Sequence, residues 1–301
     1  MTDPLAQIVQ LLQPDLSYCK LVEASGSWRV RRAEQGKPFF CALLDGAVRL
    51  EIDGRPPRLV QQGDFILVPA ATDFTSSSAL APPRAAPLNM PVEVGPGRFR
   101  LGDPAAPPDV RMLIGYCTFG SGDAALLVSL LPALIQVRGE DRLATLIQLA
   151  VQEFRDRRPA RNVILARLME VVFIEALRAP GADGHRGILK GLGDARVAAA
   201  IGRMHDDPAE PWTVADLARE AAMSRSAFFT RFRQAVGMAP MAYLLHWRMV
   251  LAKDLLRTRD LSVAAIARQV GYGSASAFSV AFTRHVGAPP SLFARAEAEA
   301  A

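Results

Sequence analysis

Two stretches of the chain carry hydrogen-bonding side chains at the spacing of a helix face, and both suit contact with a nucleic acid. In the first, Phe228 and Phe232 mark the apolar side of residues 224–236. At ~100° per residue the opposite side holds Ser226, Thr230 and Arg233, flanked by Phe229, Arg225 and Arg231. Hydroxyl and guanidinium groups on one helix face can bond base edges and phosphates. In the second stretch the equivalent positions are Ser276, Val280 and Thr283, with Arg284 at the side. Val280 offers only apolar contact, as to a thymine methyl, so the first stretch is the richer reader.

Other chemistry-bearing residues are sparse. Cys19, Cys41 and Cys117 lie far apart, odd in number and without a CxxC pair, which excludes a disulfide framework and a zinc knuckle. They are either small hydrophobes or sensors of an oxidant through thiol chemistry, and spacing alone does not separate the two. No histidine precedes His185, so the first 184 residues lack the imidazoles a transition-metal site needs, and neither a metal nor another cofactor is expected. His185, His205, His246 and His285 have no histidine four residues on, and His246 and His285 read as surface or packing residues. Gly191-Leu192-Gly193 lacks the third glycine and the preceding strand of a dinucleotide loop. No Ser/His/Asp set has supporting context. No catalytic residue is expected, and the chain does not read as an enzyme.

The elements that must position the two reading faces form a repeat. Val214, Leu217, Ala218 and Ala221 have the spacing of an amphipathic helix, and Val263, Ile266, Ala267 and Val270 copy it 49 residues later. Beyond the next turn the offset is 50: Phe232 matches Phe282, Gly237 matches Gly287 and Pro240 matches Pro290. Each copy, 213–237 and 262–287, is a helix, a short turn and a second helix ended by Gly and Pro. Thr213 with Asp216 forms a capping box, and Ser224 and Ser274 are placed to cap each second helix. A long helix over 241–258 joins the copies. A lone helical hairpin would read as packing only; the exposed polar faces favour insertion of each second helix into a major groove.

The remainder divides by periodicity. Val48, Leu50 and Ile52 alternate with Arg49, Glu51 and Asp53, and Gly46 predicts a hairpin between 39–44 and 47–53. Strands are also expected over 65–68 and 110–119, with a long irregular loop between Pro82 and Pro108, where eight prolines fall. Short strands at this spacing predict a small antiparallel barrel. From Asp123 to Ala179 the period becomes helical, with stripes that include Leu143, Ile147 and Ala150, then Ile164, Leu168, Val171 and Val172, packing on their own sheet or forming a dimer seam. Residues 180–194 hold five glycines and read as a linker. The 301 residues suit two domains, and no apolar run of about 18 residues predicts a membrane span. The charge is +5, concentrated beyond residue 194, where 13 basic face 9 acidic side chains and suggest an anionic partner. An acid and no Lys or Arg in the first fifteen residues, with the cysteine pattern, points to a cytoplasmic protein.

From Val197 to Phe293 the sequence resembles the DNA-binding domain of the AraC/XylS transcription regulators, in MSRSAFFTRFR, in Trp247-Arg248-Met249, and in GYGSASAFSVAF followed by Gly-Ala-Pro-Pro. The resemblance implies base contacts from Ser226, Phe229 and Thr230, then Ser276, Ala277 and Val280, with Ser274 at the head of the second reader. The chain departs from the family at Ala277 and Val280, where many members carry polar or basic residues. DPLAQIVQLLQP and LVQQGDFILVP resemble the cupin-type sensor domain of one AraC subgroup, with Cys41 and Phe74 near positions where relatives often carry histidines. The expected fold is α+β: a cupin-like antiparallel β-barrel with a helical subdomain over 1–179, a linker over 180–194, and an all-α domain with two helix-turn-helix units over 195–301. The implied function is regulation of transcription, a small-molecule effector or oxidant acting on the N-terminal domain to control promoter binding. Double-stranded promoter DNA, RNA polymerase and a second copy of the chain are the implied partners. The alternative is a cupin-type small-molecule binding protein or enzyme.

Overall fold

The computed structural model describes residues 3–32, 37–52, 56–70, 73–80, 88–119, 124–156, 158–179, 187–258 and 261–300; the turn signal at Asp53-Gly54 and linker residues 180–186 lie outside them. In chain order the first elements are α1 (Pro4–Leu12), β1 (Pro14–Ser25), β2 (Arg29–Arg32), β3 (Phe39–Asp45), β4 (Ala47–Ile52), β5 (Arg58–Gln61), β6 (Phe65–Val68), β7 (Phe74–Ser78), β8 (Val92–Gly95), β9 (Arg98–Gly102) and β10 (Val110–Phe119). Then come α2 (Ala124–Val128), β11 (Ile135–Val137), α3 (Asp141–Asp156), α4 (Arg161–Arg178), α5 (Ile188–Gly193) and α6 (Ala195–Asp206). The last six are α7 (Val214–Glu220), α8 (Arg225–Val236), α9 (Pro240–Thr258), α10 (Val263–Gln269), α11 (Ala275–Val286) and α12 (Pro290–Ala300).

One compact unit comprises residues 14–119 and 133–184. Among its described residues two sheets run β11-β6-β3-β10-β1-β9-β8 and β2-β7-β4-β5, with antiparallel pairs and one parallel pair, β1–β9, a departure from the expected all-antiparallel barrel. The core lies between them. Val22, Phe39, Ile66 and Met112 of the larger sheet meet Val30, Val48, Leu50 and Phe74 of the smaller. The alternation read in 48–52 holds, with Val48, Leu50 and Ile52 buried and Arg49 and Glu51 half-exposed. The predicted hairpin does not form. β3 pairs with β6 and β10, whereas β4 pairs with β5 and β7, so Gly46 carries the chain from one sheet to the other. Its φ is +79°, and a Cβ there would stand 2.3 Å from the Asp109 carbonyl oxygen, so only glycine fits the crossing.

The predicted loop between Pro82 and Pro108 also contains regular structure. β8 and β9 form the sheet edge, where Pro91 and Pro96 flank β8 without interrupting it. In α4 the buried residues are Leu165, Met169, Val172, Phe173, Ala176 and Leu177; of the stripe predicted from Ile164 through Leu168, Val171, Val172 and Glu175 to Leu177, Val172 and Leu177 lie inside, Leu168 and Glu175 are half-buried, and Ile164 and Val171 are exposed. The helix packs on β1 and α3 through a face rotated from the one that apolar spacing picked out.

The other compact unit comprises residues 1–13, 120–132 and 185–301, so α1 and α2 belong with the helical repeat and not with the barrel into which 1–179 was expected to fold. The reason is burial. Ile8 and Leu12 of α1 and Leu127 and Leu130 of the α2 region are buried, and α1 packs on α2, α5 and α6. The glycines of the expected linker serve packing: α5 sits on α6 and α8, and a Cβ on Gly191 would lie 2.8 Å from Val236. Among the described residues seven helices, α6 to α12, follow from Ala195.

Candidate nucleic-acid interface

Local hydrogen bonding fixes each helical pair as its sequence prescribes. The Thr213 hydroxyl accepts from the Asp216 N–H at 3.2 Å, and the Asp216 carboxylate accepts from the Thr213 N–H at 3.0 Å. Ser224 and Ser274 accept from the N–H groups of Ala227 and Ala277, at 3.4 and 3.1 Å. Ser262 heads α10 in the same way, accepting from Ala265 at 3.2 Å. The turns close alike in both copies, by Met223 N–H to the Ala218 carbonyl at 2.9 Å and Tyr272 N–H to the Ala267 carbonyl at 2.8 Å. Gly237 and Gly287 end α8 and α11 in the left-handed conformation. Phe228, Phe232, Phe278 and Phe282 are all fully buried, which turns the opposite faces of α8 and α11 outward.

On α8, Arg225, Ser226, Phe229, Thr230, Arg231 and Arg233 are all exposed, as the helical arithmetic predicts. Arg231 is nevertheless engaged: its Nε donates to Asp194, the residue that also caps α6. Arg225 and Arg233 have no acid partner among the described residues and extend into solvent. On α11, Ser274, Ser276, Ala277, Val280 and Arg284 are exposed and Thr283 is half-buried; the Ser274 hydroxyl is occupied by its cap. Val280, 68% exposed, makes the centre of this face apolar. The two copies therefore offer unequal surfaces: hydroxyls and free guanidinium groups on α8, chiefly Ser276, Val280 and Arg284 on α11.

Several residues that single motifs did not reveal hold these helices in place. His205 donates through Nδ1 to Gln7 Oε1 at 2.9 Å, accepts at Nε2 from the Tyr243 hydroxyl at 2.6 Å, and stacks on Trp247 with ring centroids 3.6 Å apart. Burial depresses its pKa to about 3, so the ring stays neutral. His246 donates through Nε2 to the Leu126 carbonyl at 2.7 Å and meets His285 of α11 edge-on at 5.3 Å; burial lowers both pKa values. Arg248 donates to the carbonyls of Pro208 and Glu210 at 2.7 and 2.9 Å. These partners stand some 40 to 200 positions away in sequence, beyond any local spacing.

The barrel holds a separate site. A cavity of about 30 Å³ between the sheets is lined by apolar side chains, among them Phe39, Leu50 and Met112, with Arg32 and Ser76 as its polar members. Trp28 also lines it; its Nε1 is buried and has no hydrogen-bond partner among the described residues. Arg32 donates to the Tyr116 hydroxyl at 3.0 Å. Cys41 lines the same cavity, with Cys19 half-buried on β1 and Cys117 buried on β10, and all three are free thiols. Burial pushes each thiol up to about 12, against the weaker opposing effects of Arg161 on Cys19 and Arg32 on Cys41. Among the described residues no group of three or more His, Cys, Asp or Glu is placed to hold a metal ion.

A family model described as Cupin matches residues 3–180, and one described as Helix-turn-helix domain matches residues 217–296. That combination defines a DNA-binding transcription regulator with a cupin domain. A Streptomyces lividans protein described as an AraC-like transcription regulator is 37% identical over 96% of each chain. The HTH-type transcriptional regulator AlkR of Acinetobacter baylyi is 36% identical over 94% of this chain and 95% of its own. The DNA-binding domain of the global transcriptional factor AdpA, solved with a target DNA, is 34% identical over 33% of this chain and 89% of that one, with a TM-score of 0.32. The chain belongs to the AraC-like transcription regulators. No helix among the described residues is long and apolar enough to cross a membrane.

Proposed function

We propose that α8 and α11 read two successive major-groove segments on one face of promoter DNA, about one helical turn apart, roughly 34 Å. The observation that carries this reading is the repeat itself: two capped helices, each turned outward by two fully buried phenylalanines, mounted on the single helix α9. Arg225, Ser226, Phe229, Thr230 and Arg233 supply the first contact surface and Ser276, Ala277, Val280 and Arg284 the second; Arg231 and Ser274 serve mainly to hold their helices. One protomer should protect two segments about 10 base pairs apart in a hydroxyl-radical footprint. A single contiguous protected segment would overturn the tandem reading.

The signal is a small molecule entering the barrel and not oxidation of a thiol. Thiolate character is what makes a cysteine reactive, and burial keeps all three thiols protonated near neutral pH. The unpartnered Trp28 N–H favours an effector with an apolar body and one hydrogen-bond acceptor. At about 30 Å³ the cavity must open to admit it. Binding then shifts promoter occupancy or contact with RNA polymerase, in the cytoplasm and without a catalytic step. A second copy of the chain completes the regulator, with the exposed Ile164 and Val171 of α4 as part of its seam.

A further inference from the structure

The two reading helices can select a fixed spacing only if something holds their supporting units in register, and one side chain lies at that junction. Arg248, in the middle of α9, places its guanidinium against the loop between α6 and α7. Its Nε and Nη2 donate to the carbonyls of Pro208 and Glu210, at 2.7 and 2.9 Å. That loop is itself braced: the Trp212 indole N–H donates to the Asp207 carbonyl at 2.9 Å, and the Glu210 N–H to the Asp207 carboxylate at 3.1 Å. The loop leads directly into α7, the first helix of the first reading unit.

On its other side the same guanidinium meets the turn between α10 and α11. Gly271 sits there at φ +81°, and a Cβ on it would stand 2.7 Å from Arg248 Nη2 and 2.9 Å from the Ala209 carbonyl oxygen. The turn of the second unit, the loop of the first and the helix between them thus converge on one planar group. Gly271 is the counterpart of Ala222 in the first copy, where φ is also positive at +50°, and the extra residue of the second turn falls after Tyr272.

We infer that Arg248 is a positioning residue that sets the spacing of the two DNA segments, a role that rests on the tandem reading proposed above. A guanidinium suits it because its planar fork bonds two carbonyls at once, which a lysine ammonium does not do in fixed geometry. The test is binding of the full chain to its selected operator and to operators with one base pair inserted or removed between the segments. Wild type should lose roughly tenfold or more in affinity on either change, as for a mismatched site. Arg248→Met should bind the best operator within the range of the spacing variants, the penalty shrinking to about threefold or less, and Arg248→Lys should fall between. Thermal melting checks that each variant is folded; if Arg248→Met is not, Arg248→Lys carries the comparison. A folded variant that binds every operator more weakly while keeping the full spacing penalty would make Arg248 merely structural and overturn the inference. A wild-type protein indifferent to spacing would instead overturn the tandem reading itself.

Discussion

Arg231 and Arg233 stand two positions apart on α8 and serve different ends. The first is tied to Asp194; the second extends free of any acid among the described residues. A free guanidinium that reaches a base edge carries specificity, whereas one on a phosphate carries affinity alone. Arg233→Ala, like Thr230→Ala, should therefore relax sequence preference at one or two positions, at a cost of ~1–3 kcal/mol for the preferred base. Arg284→Ala should weaken binding to all sequences alike and lower the salt slope by about one. Binding selection on both variants across a salt series checks the division; uniform weakening by Arg233→Ala together with altered preference from Arg284→Ala would reverse it. The outward placement of these side chains was legible in the sequence, because Phe228 and Phe232 orient the helix through spacing alone. The Asp194 partner was not, since nothing local links positions 37 residues apart.

At the scale of elements, spacing succeeded where one face of a helix or strand is buried and failed where two surfaces compete. α7, α8, α10 and α11 each have one apolar side and one cap, so their limits followed from residues such as Ser224 and Gly237. α4 has an apolar residue at nearly every turn on two sides, and only the sheet beneath it decides which is covered. Gly46 illustrates a second limit: a turn signal announces a reversal, but not whether the strands after it share a sheet. The second reading unit depends on a compact cluster in which Phe278, Phe282, Ile266 and Met249 are fully buried. Phe282→Ala should cost ~3–5 kcal/mol, the range for emptying a core aromatic site. Urea denaturation would measure it, and a loss under about 1 kcal/mol would show that the cluster can collapse around the gap.

At the scale of the whole molecule, acid should act on the helical unit through its histidines. Burial depresses the pKa values of His205, His246 and His285, so each takes up a proton more readily when unfolded. Stability from such groups is complete above the unfolded value of about 6.5 and falls as pH drops below it. For His205, buried and held near 3, the decline continues through the whole interval, at up to ~1.4 kcal/mol per pH unit. Denaturation midpoints between about pH 7.5 and about pH 5 test this above the carboxylate range, and stability that is flat or rises on acidification would contradict it.

The same histidines bear on how this chain can change by descent. His205 is held by Gln7, His246 by the carbonyl of Leu126, and α5 supports α6 and α8, so the helical unit is written in three separated stretches of sequence. A recombination that exchanges everything from Ala195 onward would seat a foreign repeat on the resident α1, α2 and α5. With α8 and α11 as the proposed readers, a new operator specificity is easier to inherit by substitution on their outer faces than by wholesale shuffling, and a working chimera should need all three stretches to travel together.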